Sequence, residues 1–285
     1  MFQSFSDAAR RDQGPARLKT LRDLMAREHL SGFLIPRADA HQGEYVAPRD
    51  ERLQWLTGFT GSAGFCAALQ DRAGVFIDGR YRTQVKSQVD TAHFTPVPWP
   101  ETKLGPWLRE ALPEGGTVAY DPWLHTPDQI SEAETALQGS GVSLQPTPNL
   151  VDRIWPDQPA PPCGKVIAYP DDLAGETHAS KRTRLAAMLR TLGQKSAVIT
   201  LPDCLAWLLN IRGSDIAKNP LPHGFAILHD TGHLTLFMAP EKLTPEVKAH
   251  LGSEITMRPV EAFIPALHTL QGPVRVDRGS APILV

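Results

Sequence analysis

The sequence predicts an α/β fold that occurs twice along the chain, and three observations predict it. Each half opens with an amphipathic helical pattern that leads into a short apolar run, the arrangement of a helix packed beside a buried strand. Each half then carries a Trp-Leu pair followed by a Gly-Ser loop, WLTGFTGS at residues 55–62 and WLLNIRGS at 207–214. Each half continues into a hairpin that begins Gly-Phe. Alternating helices and strands place both copies in the α/β class, and the shared order of helix, strand, Trp helix, loop and hairpin marks an internal repeat of a whole domain.

Taken in order, ARLKTLRDLMAREH (16–29) puts Leu18, Leu21, Leu24 and Met25 on one helical face. Its counterpart KRTRLAAMLRTLG (181–193) does the same with Leu185, Met188, Leu189 and Leu192. The runs GFLI (32–35) and SAVIT (196–200) are the buried strands that follow. The second Trp helix starts at Thr200, whose hydroxyl is expected to cap the Asp203 amide, with Pro202 tolerated in the first turn. The hairpins are residues 64–78 and 224–238, each turning around an Asp with a nearby Gly to relax the backbone. By equivalence Trp55 matches Trp207 as a buried core anchor, and Gly61-Ser62 matches Gly213-Ser214. A T-P-x-Q start at Thr126, Pro127 and Gln129 caps a helix ending near residue 137, and a strand follows at 142–144. In the second copy, helices are expected within 241–252 and 260–270, and strands near 254–257 and 274–276. Between the copies WPDQPAPPCGK (155–165) holds Pro156, Pro159, Pro161 and Pro162 without periodicity, a linker pattern that divides the chain into 1–158 and 159–285.

Composition removes several classes of function. A chain of 285 residues with 41% hydrophobic and 21% charged residues can bury two cores without metals or disulfides. The net charge is −2 and no basic block is longer than Lys181-Arg182, so no nucleic-acid footprint is present. No run of apolar residues is long enough to span a membrane, and the N-terminus lacks the apolar core of a signal peptide. Cys66, Cys163 and Cys204 form no CxxC pair and point to a reducing, cytoplasmic setting.

The candidate chemistry is sparse. His223, His229 and His233 with Asp230 read as solvated hairpin residues rather than a zinc set, which needs three or four convergent ligands. Cys66 and Cys204 lie in apolar stretches and are expected to be buried structural thiols. Asp78 is expected to cap a helix beginning at Tyr81, with Arg80 packed outward on a carboxylate or ring; the alternative sets Arg80 and Tyr81 at a subunit edge. For Asn210, Arg212 and Asp215, an Arg-carboxylate pair that stiffens the loop stands beside substrate contact.

The segments ERLQWLTGFTGSAGFCAAL, GVFIDGRYRTQ and DCLAWLLNIRGSDIAKNPLPHGFAIL closely resemble the two N-terminal domains of three-domain Xaa-Pro aminopeptidases, the aminopeptidase P branch of the creatinase and prolidase superfamily. The resemblance covers nearly the whole chain and implies two tandem creatinase N-terminal-like domains with mixed sheets flanked by helices. It also implies a third, pita-bread domain, absent here, whose two divalent metals, usually manganese, are held by two Asp, one His and two Glu. On that basis this region carries no catalytic or metal-binding residue of its own. It serves a cytoplasmic enzyme that cleaves proline-containing peptides, shaping substrate access and supporting a homodimer. Arg80, Tyr81, Asn210, Arg212, Asp215 and His223 are then the entrance or interface candidates. A free-standing binding or assembly module is the alternative. A creatine- or dipeptide-cleaving relative is disfavoured, because such proteins carry one N-terminal domain of this kind.

Overall fold

Pro15 sits in the first turn of α1 (Gly14–Arg27), where its missing N–H costs nothing, and the Leu18, Leu21, Leu24 and Met25 stripe is buried as its spacing predicts. This helix opens the first of two units in the computed structural model, which describes residues 9–285. The first unit comprises residues 9–39 and 48–160, and the second 40–47 and 161–285. No feature of the sequence signals that residues 40–47 pack with the second unit.

In the first unit β1 (Gly32–Pro36) follows α1, and α2 (Arg52–Thr57) ends at Gly58, whose φ of 88° only glycine adopts cheaply. The hairpin of β2 (Phe65–Leu69) and β3 (Ala73–Ile77) comes next, then α3 (Gln84–Gln88), β4 (Thr95–Pro98), α4 (Leu104–Ala111) and β5 (Gly116–Tyr120). The unit closes with α5 (Pro127–Leu137), β6 (Val142–Pro146) and α6 (Leu150–Ile154). The α5 start is a full capping box: the Thr126 hydroxyl accepts from the Gln129 amide, and the Gln129 side chain accepts from the Thr126 amide. The sheet order is β4-β3-β2-β1-β5-β6, antiparallel within β1-β2-β3 and parallel elsewhere. Period-2 alternation sends Phe33, Ile35, Cys66, Val75 and Ile77 into one core with α1, α2 and α6. On the opposite face Phe76 meets the Trp107 ring of α4 edge-on at 5.5 Å. Gly74 lies in β3 rather than in the turn, and it is glycine for a packing reason: a Cβ there would come within 2.9 Å of Trp107.

The second unit starts with β7 (Ile167–Ala168), α7 (Asp171–Ala174), α8 (His178–Thr191), β8 (Ser196–Ile199) and α9 (Pro202–Leu209). It continues with β9 (Ile211–Arg212), β10 (Phe225–His229), β11 (Leu234–Phe237), α10 (Pro245–Leu251), β12 (Ile255–Arg258), α11 (Phe263–Leu267) and β13 (Val274–Arg275). Its sheet order, β12-β11-β10-β8-β13, repeats β4-β3-β2-β1-β5 strand for strand with the same directions. The duplication inferred from the sequence is therefore a duplication of topology. β7 and β9 form a separate antiparallel ribbon that the first unit lacks.

Three expectations about this unit fail for stated reasons. Leu201, not Thr200, precedes α9, and no side chain caps that end. The buried face of α8 is Lys181, Arg182, Ala186 and Leu189, while Met188 and Leu192 are exposed. Two cations can occupy that face because each finds at least one acceptor: Lys181 donates to the Trp207 carbonyl at 2.8 Å and to Asn210 Oδ1 at 2.7 Å, and Arg182 donates to the Gly232 carbonyl at 2.7 Å, although its Nε is buried without a hydrogen-bond partner. Trp207 is 47% exposed, and Trp55 is half-buried against the core, so neither is a fully enclosed anchor.

Candidate functional site

In the first unit the β3 strand delivers Asp78 to the sheet end, where its carboxylate accepts from the Arg80 amide at 2.9 Å and caps the short 3-10 turn Gly79–Tyr81. The Arg80 guanidinium forks onto both Asp78 oxygens, at 2.7 and 3.1 Å, and lies 5.1 Å from the Tyr81 ring. This bonding holds the Asp78 carboxyl below the usual range. The Tyr81 hydroxyl meets Ser62 Oγ at 2.6 Å, which lowers its pKa, and the ring packs edge-on to Phe59. The structure thus joins Ser62 of the GFTGS loop to the DGRY turn. Gly61 of the same loop has no room for a side chain, since a Cβ would meet the Phe59 ring at 2.1 Å. The result is an exposed, geometrically fixed cation beside a phenol, suited to meeting a carboxylate or a peptide carbonyl.

The second-unit candidates behave differently. Asn210 ends α9 with φ 48°, a left-handed conformation Asn tolerates. Only 1% of its surface is exposed, and its amide donates to Asp171 Oδ1 at 2.7 Å and to the Glu176 carbonyl at 2.8 Å. Arg212 and Asp215 do not pair with each other. Arg212 lies 4.1 Å from the Tyr169 ring, across the β7–β9 ribbon, and donates to the Ile211 carbonyl. Asp215 turns inward and accepts from the Gly164 amide at 2.8 Å, the His223 amide at 2.6 Å and Lys242 Nζ at 2.7 Å. Gly213 packs so closely on Pro222 that a Cβ would meet it at 2.6 Å, and a Cβ on Gly164 would meet the Ser214 backbone at 2.5 Å. His223 stacks on His41 with ring centroids 4.4 Å apart; His41 in turn lies on Phe225 and donates from Nδ1 to the Thr200 carbonyl at 3.1 Å. Burial pushes His41 down to about 4, so it is neutral at ordinary pH. His41 and Lys242 carry no local sequence signal. They are distant in sequence from the loop they support, and only folding brings them to it.

His229 and His233 face each other across the hairpin turn at 6.0 Å, and His233 bonds Thr256. Among the described residues no three His, Cys, Asp or Glu side chains converge as metal ligands would. Cys66 is buried, with its thiol pushed up to about 12 by burial, whereas Cys204 is exposed on α9, contrary to its apolar setting in sequence. No helix among the described residues is long and apolar enough to cross a membrane.

Two family models match the chain, and both are described as the creatinase/prolidase N-terminal domain: one covers residues 17–154 and the other 157–284. A protein of Coccidioides posadasii named probable Xaa-Pro aminopeptidase P is 38% identical over 265 residues, which is 89% of this chain and 42% of that protein. Its namesake from Aspergillus clavatus is 36% identical over 275 residues, 93% of this chain and 41% of that protein. The crystal structure of X-prolyl aminopeptidase from Caenorhabditis elegans, described as a cytosolic enzyme with a di-nuclear active site, matches with a TM-score of 0.89 and 28% identity over 95% of this chain and 48% of that one. The chain spans about two-fifths of the length of the curated relatives it matches.

Proposed function

Since both halves of this chain belong to the creatinase/prolidase N-terminal domain family, we propose that it is the non-catalytic N-terminal region of a metal-dependent Xaa-Pro aminopeptidase, which hydrolyses the bond after an N-terminal residue that precedes proline. The observation that carries this reading is the agreement across both units, in order, with the X-prolyl aminopeptidase of Caenorhabditis elegans. The described side chains do not fit a two-metal centre. Asp215 is spent on Lys242 and two amides, Asp78 on Arg80, and His41 is a neutral donor to a carbonyl. In this reading the metals, manganese in our proposal, and the general base belong to the part of the polypeptide that the relatives carry beyond the matched region.

The role left to this chain is to shape access to that centre and to support a cytoplasmic homodimer. Arg80 and Tyr81 suit the first task, because Asp78 and Ser62 hold an exposed cation and phenol in place at the end of the sheet. Asn210 and Asp215, both buried, act by shaping the loop that carries Arg212 and His223. The test is hydrolysis of an Xaa-Pro-Xaa peptide with added manganese, run on the 285-residue chain and on the full-length protein. Turnover by the full-length protein alone is expected. Turnover by neither leaves a binding or assembly module, and turnover by the short chain alone refutes the assignment.

A further inference from the structure

The internal repeat exposes what covers each unit. Arg17 is the fourth residue of α1 and Lys181 the fourth of α8. Arg17 lies over the Trp55 ring at 4.4 Å and donates to the Trp55 carbonyl; Lys181 lies over the Trp207 ring at 4.5 Å and donates to the Trp207 carbonyl. With the helices aligned on this shared clamp, Leu24 corresponds to Met188 and Glu28 to Leu192.

In the first unit those positions are covered by α6. Trp155, directly after α6, stacks on Trp55 at 5.1 Å; Arg153 pairs with Glu28; Leu24 shares a core with Leu150 and Val151; and Arg52 forks onto Asp152 at 2.6 and 2.9 Å. In the second unit the corresponding Trp207, Met188 and Leu192 are 47%, 52% and 56% exposed. The sheet shows the same gap. β5 is flanked by β6, while both residues of β13 are exposed and no strand among the described residues lies outside it.

Building on the reading that this chain is part of a longer aminopeptidase, we propose that Trp207, Met188, Leu192 and the open edge of β13 form a docking surface for a following segment of the same polypeptide. That segment is an α-β-α counterpart of α5, β6 and α6. Its strand pairs parallel to β13, and its last helix lays an aromatic or apolar side chain on Trp207. The first unit is the template, and the curated relatives, of whose length this chain spans about two-fifths, carry the additional chain such an occupant needs. Burying three large apolar side chains gives the docking its driving force.

Hydroxyl-radical footprinting of the 285-residue chain and the full-length protein tests this, together with amide exchange at residues 274–276. In the full-length protein, oxidation of Trp207, Met188 and Leu192 is expected to fall to the level of Trp55 and Leu24 at every protein concentration, with exchange slowed at 274–276. Equal footprints in the two proteins overturn the proposal. So does protection that vanishes on dilution, which marks a second copy as the occupant, or protection of the helices without slowed exchange at β13. A gene that stops at Val285 also removes the occupant. Peptidase activity is read in parallel. Activity without protection discards the docking alone, and protection without activity discards the peptidase reading alone.

Discussion

Replacing Lys242 with Met, or Asp215 with Ala, probes the contact that the sequence misassigned. The pair is almost fully enclosed, with Nζ and Oδ2 2.7 Å apart. Losing one member of such a pair leaves the other charged and desolvated, which costs about 3–5 kcal/mol. Lys242→Met falls at the low end, because Asp215 keeps the Gly164 and His223 amides as donors. Asp215→Ala falls at the high end: Lys242 keeps only the His223 carbonyl, at 3.2 Å, and two amides lose their acceptor. The double variant removes both charges and should cost about 2 kcal/mol less than the sum of the singles, since only the amides remain unsatisfied. For a unit of this size each kcal/mol moves Tm by about 3–5 °C, so the single changes should lower the melting of the second unit by about 10–20 °C. Arg212→Met, which removes a ring contact and one hydrogen bond, should cost about 1 kcal/mol. Urea unfolding followed by hydrogen exchange in second-unit peptides measures all four. The reasoning is refuted if Arg212→Met proves as costly as Asp215→Ala, or if the two single effects simply add.

Acid should weaken both units. Burial pushes His41 and His125 down to about 4, below the ordinary value near 6.5. Their neutral forms therefore contribute stability above pH 6.5, and it is lost as pH falls through about 4, by at most about 3 kcal/mol each. His41→Gln should flatten this dependence in the second unit alone; an unchanged pH profile there would contradict the burial argument. Asp50, raised to about 6 by burial, works in the opposite sense, contributing below its ordinary carboxylate range and losing that contribution as pH rises through about 6. A maleimide should modify Cys163 and Cys204 in the native chain but leave Cys66 untouched, and mass spectrometry showing three adducts would contradict the enclosed Cys66. Arg80→Gln in the full-length protein should leave stability within about 1 kcal/mol, as for other surface pairs, while raising KM for an Xaa-Pro-Xaa peptide. An unchanged KM removes Arg80 from the entrance.

What a reader of the sequence sees correctly is what neighbouring residues settle among themselves. The Thr126–Gln129 capping box, both Gly-Phe hairpins and the Leu18–Met25 stripe all depend on residues within a turn or two of one another. Because the same local order is written twice, the duplication of the domain was legible as well, and the matching strand orders agree with it.

The failures share a cause. Arg212 and Asp215 are three residues apart and opposite in charge, yet the β7–β9 ribbon carries Arg212 onto Tyr169 while Asp215 turns inward to Lys242, 27 residues away. Met188, Leu192 and Trp207 obey helical periodicity and still face solvent, since periodicity states which side chains share a face and not what lies against it. Sequence by itself therefore determined the repeated helix, strand, Trp helix and hairpin, their order and the family. Tertiary structure decided which charges meet and which apolar faces are closed, because burial and ion pairing depend on contacts between segments remote along the chain, whose positions no local pattern encodes.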